Sequence, residues 1–266
     1  MDRTHLFLSV LLILAAFDTA SVSALTATTE PTSLYGYLGY SDSSDFKAEF
    51  CRLGPDGISV CWDDPIYADA TISLHTGWKR GDRVCGFIPY YYLNELVSVI
   101  YVEFDFTTGE VYMFQDQDAR QGCYEICAYN SDENMVYGYG FDSTGQWFFM
   151  KSPGDRPFDV EYIKKLPVNE ENDICAAMTW NPRDKQLYGV NYNNDLVTVS
   201  PLGVQRKVMA LNKYAQRYIT GLCYAPKEDK FYWNGIIKAP GYMTEVSSLY
   251  KIDTRNRTFN QIYEYE

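Results

Sequence analysis

Histidine is almost absent from this chain, which has 2 histidines in 266 residues. One of them precedes the apolar leader described below, so His75 is the only histidine in the rest of the sequence. A zinc site made of several histidines is therefore excluded within one chain. A nucleophile with a histidine base could use only His75, and Ser73 on the same short strand is poorly placed to be its partner.

Several cofactor motifs are also missing. The sequence has no Cys-x-x-Cys pair, no phosphate-binding glycine loop and no dinucleotide fingerprint, so we expect no nucleotide or redox cofactor. Basic residues are outnumbered, with 23 Lys and Arg against 35 Asp and Glu and a net charge of −12. Because affinity for nucleic acid depends mainly on Lys and Arg, a nucleic-acid partner is not expected.

Long hydrophobic runs are limited to the first residues. The apolar run 6–17 follows Arg3 and precedes small residues up to Ala24. It is too short for a bilayer, which needs about 20 apolar residues, and fits a secretory signal peptide. We therefore predict a signal at 1–24 and a single domain at 25–266, secreted or at the extracellular surface, with no transmembrane segment.

The chain has 7 cysteines, an odd number, so at least one lacks an intrachain partner. Cys51 and Cys61 flank the turn sequence Gly54–Gly57 and form the predicted disulfide. A three-residue loop would place them directly opposite, within disulfide range, whereas a change of register by one residue would separate them. For the other five we expect buried free thiols. They are Cys85, Cys123, Cys127, Cys175 and Cys223.

The organising feature is an internal repeat of about fifty residues. Its clearest copies are AYNSDENMVYG at 128–138, TWNPRDKQLYG at 179–189 and CYAPKEDKFYW at 223–233. The last residue of this motif recurs at 36, 86, 138, 189 and 233, which gives spacings of 50, 52, 51 and 44. The predicted repeats are approximately 25–69, 70–121, 122–173, 174–217 and 218–266.

Each complete repeat continues with a further hairpin. Strands are predicted on both sides of the turns at 107–109, 202–203 and 254–257. Four short antiparallel strands per repeat predict an all-β fold, a β-propeller of about five four-stranded blades. The first blade lacks its own opening strand. Either residues near Leu25 supply this strand, or the ring is incomplete.

The segments 178–189 and 222–233 resemble secreted repeat β-propeller proteins whose blade motif is an apolar strand, an Asn or Asp turn and then Leu-Tyr-Gly. The resemblance covers nearly all of the predicted domain at the level of fold. It implies a propeller and no catalytic residues, because propellers host lectins, hydrolases, lyases and scaffolds alike.

Tyrosine is abundant, with 24 residues. In every repeat the loop after the second strand carries an aromatic residue, and these loops lie on one face of a propeller. Aromatic rings there either fill the space between blades or bind a ligand, since tyrosine suits wet interfaces and stacking on sugars. The predicted binding residues are Tyr40, Tyr90, Tyr91, Phe141, Tyr192 and Tyr242.

Two functions fit these observations. The first is a non-enzymatic binding module for a glycan, peptide or protein, with the aromatic loops as its contact face. The second is a carbohydrate-active enzyme with paired carboxylates, drawn from acidic clusters at 42–69, 116–118 and 170–173. Those acids also fit solvated turns or weak calcium sites. Asn256-Arg257-Thr258 is a candidate N-glycosylation site in a predicted turn.

Overall fold

The computed structural model describes residues 9–11, 34–42, 45–54, 57–62, 76–92, 95–105, 108, 110–116, 123–142, 144–167, 174–211, 221–238 and 245–264. Across these ranges the secondary structure is β-strand and turn. No helical segment among them has the length and apolar character that a membrane crossing requires.

Twenty strands are present in the described ranges. They are β1 (Ser9–Leu11), β2 (Leu34–Asp42), β3 (Asp45–Gly54), β4 (Gly57–Trp62), β5 (Thr76–Arg80), β6 (Arg83–Tyr92), β7 (Glu95–Asp105), β8 (Val111–Asp116), β9 (Cys123–Asn130), β10 (Met135–Phe141), β11 (Trp147–Pro153), β12 (Glu161–Lys165), β13 (Cys175–Asn181), β14 (Gln186–Asn191), β15 (Asp195–Val199), β16 (Gln205–Ala210), β17 (Gly221–Ala225), β18 (Lys230–Lys238), β19 (Glu245–Asp253) and β20 (Thr258–Glu264).

Consecutive strands pair into five four-stranded antiparallel sheets. The first is the N-terminal sheet, β1–β4. The other four are named blade I (β5–β8), blade II (β9–β12), blade III (β13–β16) and blade IV (β17–β20). Their first strands contact one another in order, β5 with β9, β9 with β13 and β13 with β17. Four-stranded meanders that pack through their first strands form the arrangement of a β-propeller.

The number of blades differs from the predicted value of about five, because the structure has four blades packed in series. The prediction counted copies of the sequence motif, and the N-terminal sheet contains one copy, Leu34-Tyr35-Gly36 in β2. A blade also needs a first strand against its neighbour. The opening strand β1 comes from within the predicted signal peptide and not from residues near Leu25, with Val10 opposite Leu38.

Among the residues whose burial is described, the hydrophobic core forms three clusters, each lying between two neighbouring blades. The cluster between blades I and II contains Trp78, Phe87 and Tyr124. The cluster between II and III contains Tyr139, Phe149 and Leu187, and the cluster between III and IV contains Tyr188, Phe231 and Trp233. Each blade therefore buries its faces against its neighbours and not against a shared central core.

The glycine of the Leu-Tyr-Gly motif allows close packing between the first two strands of a blade. A Cβ at Gly138 would lie 2.8 Å from the Cα of Cys127, and one at Gly189 would lie 2.5 Å from the Sγ of Cys175. Backbone atoms therefore exclude a side chain at Gly138, and a side chain at Gly189 would require the Cys175 side chain to move. In blade IV the same position is Trp233, which is buried in the seam with blade III.

The tyrosine of the motif binds a carboxylate in the preceding turn. The hydroxyl groups of Tyr137, Tyr188 and Tyr232 each donate to an acid four residues earlier, over 2.8 Å. The acceptors are Glu133, Asp184 and Glu228. All three rings are buried, so the hydroxyl group joins a buried strand to a surface turn. We call this contact the tyrosine lock.

A second contact involves the aromatic residue near the end of each first strand. In blades II and IV it is a tyrosine that donates to the last residue of the turn, Tyr129 to Asn134 over 2.9 Å and Tyr224 to Asp229 over 2.7 Å. In blade III it is Trp180, and the turn ends in Lys185, which has no acceptor. The buried Trp180 Nε1 accordingly has no hydrogen-bond partner among the described residues.

In blade I, ion pairs between side chains take the place of the tyrosine lock. Its first turn has only two residues, Gly81 and Asp82, and no turn acid bonded to a motif tyrosine. The buried Glu103, from the third strand, accepts hydrogen bonds from Arg80, Arg83 and, over 2.8 Å, Tyr101. Arg80 also donates to the carbonyl oxygen of Gly154 in blade II.

The register of the N-terminal sheet differs from the one predicted for the disulfide. Cys51 lies opposite Val60, because the hairpin turn between Gly54 and Gly57 has two residues and not three. Cys61 lies at a bulge, where the register shifts between Phe50 and Cys51. The predicted direct opposition is therefore wrong, and the side chains of both cysteines lie outside the described part. Four other cysteines are buried and form no disulfide with a described residue, as predicted: Cys85, Cys127, Cys175 and Cys223.

Candidate binding face

The meander order gives the propeller two distinct faces. The connection between the second and third strands of each blade lies on one face, which we call the hairpin face. The connections between strands one and two and between strands three and four lie on the other, which we call the turn face. The predicted aromatic residues belong to the hairpin face, where blades II and III are described in most detail.

The hairpin of blade II joins Phe141 to Trp147. Their rings meet edge to face, with centroids 5.7 Å apart, and both residues are half-buried. Asp142 holds the turn, because its Oδ1 accepts hydrogen bonds from the backbone N–H of Thr144 over 2.8 Å and of Gln146 over 3.1 Å. Burial raises the pKa of Asp142, but these bonds and the Thr144 hydroxyl group outweigh it and hold the pKa below its usual value.

The hairpin of blade III has the same construction around Asn191. Its Oδ1 accepts from the backbone N–H of Asn193 over 3.1 Å and of Asp195 over 3.0 Å. These positions are two and four residues on, as they are for Asp142. Asn194 adopts a positive φ of 56°, which asparagine tolerates better than most residues. The turn presents a half-buried Tyr192 and an exposed Asn193.

The two hairpins meet at one seam. Trp147 from blade II and Tyr192 from blade III both pack against the cluster between these blades. Phe141 contacts Trp147, so three half-buried aromatic residues lie along the same edge of the propeller. The exposed Thr144 and Asn193 supply hydrogen-bonding groups beside them. Aromatic surface next to polar tips suits stacking on a sugar or covering an apolar side chain.

The predicted residues fall into three groups. Phe141 and Tyr192 lie on the hairpin face, and the structure brings both to the seam between blades II and III. Tyr40, Tyr90 and Tyr91 lie within strands, opposite Lys47, Ser98 and Leu96, and their side chains are not described. Tyr242 lies outside the described residues, as do His75, Ser73 and most of the acidic clusters.

Trp147 was not predicted as a site residue. It lies directly opposite Phe141 in the β10–β11 pair. The sequence did carry a signal, since an aromatic that follows a polar turn of five residues falls opposite the aromatic that precedes it. Pairing across a hairpin places such residues side by side.

A buried carboxylate lies close to the same face. Glu125 occupies the bulge in β9, the first strand of blade II, where Ile126 pairs with Tyr139 and Tyr124 pairs with Gly140. It is two residues from the hairpin-face end of that strand. Burial raises the pKa of Glu125 to about 7. Within the described ranges, no group of three or more His, Cys, Asp or Glu side chains could hold a metal ion.

No protein-family model matches this chain, and no curated protein matches it by sequence. Several solved structures are similar in fold. PorZ, a surface component of the type-IX secretion system of Porphyromonas gingivalis, has a TM-score of 0.41 and 9% identity over 86% of this chain and 36% of its own. A quinonprotein alcohol dehydrogenase-like protein from Bacteroides thetaiotaomicron has a TM-score of 0.43 and 9% identity over 90% and 66%.

The third is the β-propeller domain of the Trilobed protease from Pyrococcus furiosus, with a TM-score of 0.36 and 8% identity over 71% of this chain and 56% of that chain. The chain thus spans about a third of the length of PorZ and less than two thirds of the protease domain. At such identities the likeness concerns fold and not activity.

Proposed function

We propose that this chain is an exported β-propeller that binds a glycan, a peptide or a protein through its hairpin face and catalyses no reaction. The observation that carries the proposal is the aromatic edge formed by Phe141, Trp147 and Tyr192. Two adjacent hairpins with the same internal hydrogen bonds hold these rings. Binding residues on loops that a rigid scaffold positions are common in folds of this kind.

Export adds a structural consequence to this proposal. Cleavage after the predicted signal at 1–24 removes β1, which lies at Ser9–Leu11. The N-terminal sheet of the mature protein then keeps β2, β3 and β4, with β2 as an edge strand. The four blades contain no residues of the predicted signal.

The glycan form of the proposal is tested first. The secreted chain is applied to a glycan array, together with Phe141→Ala and the triple variant Tyr90→Ala, Tyr91→Ala, Tyr92→Ala. Phe114→Ala is the matched control, because Phe114 is a 52% exposed aromatic on the outer strand of blade I. We expect Phe141→Ala to weaken binding at least about tenfold, equivalent to about 1.4 kcal/mol, and the control to bind normally.

Equal binding by Phe141→Ala and Phe114→Ala would place the contact elsewhere and contradict the proposed face. An array without any wild-type signal removes the glycan form. Thermal unfolding of each variant verifies that a loss of binding is not a loss of fold.

One observation favours a second candidate function, a carbohydrate-active enzyme. A general acid for glycoside cleavage must carry a proton, and Glu125, with a pKa raised by burial to about 7, is about half protonated at neutral pH. Cleavage also needs a second carboxylate, about 5 to 9.5 Å away. Release of nitrophenol from aryl glycosides by the wild type, and its loss in Glu125→Gln, would establish this function; no release by the wild type rejects it for those substrates.

A further inference from the structure

The turn between β19 and β20 contains the one Asn-x-Ser/Thr sequence in the chain, Asn256-Arg257-Thr258. The turn occupies Thr254–Arg257 on the turn face of blade IV. Asn256, Arg257 and Thr258 are all exposed. We propose that Asn256 carries an N-linked glycan in the exported protein, a site that rests on the export proposed above.

The folded turn is compatible with a sugar on Asn256. Asp253 organises the turn, with Oδ1 accepting the backbone N–H of Arg255 over 3.0 Å and of Asn256 over 3.1 Å. Its Oδ2 accepts one hydrogen from Asn256 Nδ2 over 2.8 Å and lies 2.7 Å from Lys230 Nζ. A primary amide has two hydrogens, so replacing the other with a sugar leaves the bond to Asp253 intact.

The bond to Asp253 also orients the amide. The ammonium group of Lys230, together with hydrogen bonds from Asn256, holds the pKa of Asp253 well below its usual value, so the carboxylate remains ionised throughout the secretory pathway. Arg257 ends the turn with a φ of 53°, and β20 begins at Thr258, opposite Asp253. The attached glycan therefore projects from a defined corner of blade IV into solvent.

The reaction needs one co-reactant, a lipid-pyrophosphate-linked oligosaccharide. The Nδ2 atom of Asn256 forms a bond to the anomeric carbon of the sugar, the bond between that carbon and the pyrophosphate oxygen breaks, and Nδ2 loses one proton. No oxidation or reduction takes place. Because Asn256 lies on the turn face, the glycan leaves the hairpin face open to a partner.

The test expresses the full chain with its own leader in a eukaryotic cell line and examines the secreted protein. We expect a mobility shift that peptide-N-glycosidase removes, with conversion of Asn256 to aspartate detected by peptide mass spectrometry. Thr258→Ala should abolish the glycosylated population, whereas Thr258→Ser retains an acceptor hydroxyl group and should preserve it. Both substitutions change the same exposed residue, so we expect the two variants to fold as well as each other.

Failure of export and failure of glycosylation give different results. If the chain stays inside the cell, the predicted signal is wrong, and a second form with a heterologous leader then tests Asn256 by itself. Secreted wild-type protein without a glycan at Asn256, from either leader, overturns the proposal. A glycan that persists in Thr258→Ala overturns it as well.

Discussion

Blade I and blades II–IV close their first turns by different chemistry. In blades II, III and IV a buried tyrosine hydroxyl group donates to an acid of the adjacent turn. In blade I the acid is Glu103 from the third strand, and two arginines bind it. The first arrangement depends on residues four apart in the sequence, whereas the second depends on residues up to 23 apart.

The difference shows that a blade can form without the motif tyrosine. Both arrangements satisfy a buried polar group at the same end of the blade, and both leave strand pairing intact. The motif tyrosine is therefore one of two ways to connect a blade to its turn. In blade I, which lacks this tyrosine, a carboxylate from the third strand and two arginines make the connection.

The largest expected effect is at the centre of the blade I network. Glu103→Ala removes the acceptor that Arg80 and Arg83 share, and breaking a buried pair costs about 3–5 kcal/mol. Arg80 and Arg83 keep side-chain exposures of 25% and 40%, so water can reach them and we expect the lower end, about 3 kcal/mol. Chemical denaturation measures the free energy of unfolding.

The matched control is Glu110→Ala in the same blade, where the acid is exposed and its described partners, Thr108 and Tyr112, are exposed as well. We expect its free energy of unfolding to stay within about 0.5 kcal/mol of wild type. Equal losses of unfolding free energy in the two variants would mean that the buried network around Glu103 contributes no more to stability than an exposed carboxylate does.

A second buried carboxylate is Glu125 in blade II. Replacing it with a neutral residue is expected to raise the free energy of unfolding, whereas replacing Glu103 lowers it. Burial raises its pKa from 4.5 to about 7, so the unfolded chain releases this proton at lower pH than the folded chain does. Its contribution to stability is therefore present below pH 4.5 and is lost as the pH rises to about 7.

Glu125→Gln should accordingly be more stable than wild type at about pH 8, by up to roughly 3 kcal/mol, and similar to it at about pH 4. Denaturation at both pH values tests this. Asp132→Asn, at an exposed acid of the same blade, should show no such change in stability relative to wild type between the two pH values. A pH-independent difference for Glu125→Gln would contradict the burial effect.

The tyrosine lock is expected to contribute less. Tyr137→Phe removes one hydrogen bond from a buried hydroxyl group and should cost about 1 kcal/mol. Burial, followed by the bond to Glu133, raises the pKa of Tyr137 from 10 to about 12, so the contribution is present below pH 10 and is lost as the pH rises through 12. Denaturation at neutral and alkaline pH measures both effects.

Tyr112→Phe provides the comparison for this lock, because Tyr112 donates to Glu110 in an exposed position. We expect a change close to zero. If both tyrosine variants lose the same free energy, burial of the hydroxyl group is not the reason for the lock.

The smallest expected effect is a gain at the turn of blade III. Lys185 has a φ of 54°, a conformation that asparagine adopts more readily, and the neighbouring Trp180 Nε1 has no acceptor. Lys185→Asn reproduces the residue found in blade II and should stabilise the protein by about 0.5–1 kcal/mol. The reverse change in blade II, Asn134→Lys, should destabilise the protein by a similar amount. Thermal denaturation of the two variants measures both effects.

Local features were largely predictable from the sequence. The turns at 202–203 and 254–257 occur where their residues indicate, since glycine, asparagine and aspartate favour turns through their own backbone and side-chain preferences. Buried cysteines outside any disulfide were also predicted at Cys85 and Cys175, because an apolar strand supplies their surroundings. Of the binding face, Phe141 and Tyr192 were identified by their place in the repeat.

Contacts between distant segments were not predictable. The register at Cys51 depends on a two-residue turn and a bulge at Cys61, and a single inserted residue reverses which side chains are opposed. Glu125 was missed for a related reason, because the bulge that holds it leaves no mark in the alternation of apolar residues. Trp147 joined the site only through its pairing with Phe141.

The sequence by itself determined that the chain is made of repeated four-stranded meanders with aromatic residues at matching positions, because strand and turn preferences act over a few neighbouring residues. Only the tertiary structure decided that four blades pack in series, that Glu103 replaces the tyrosine lock in blade I, and that two hairpins share one aromatic edge. Those features depend on which surfaces meet between blades, and the free energy of burial at those seams selects them.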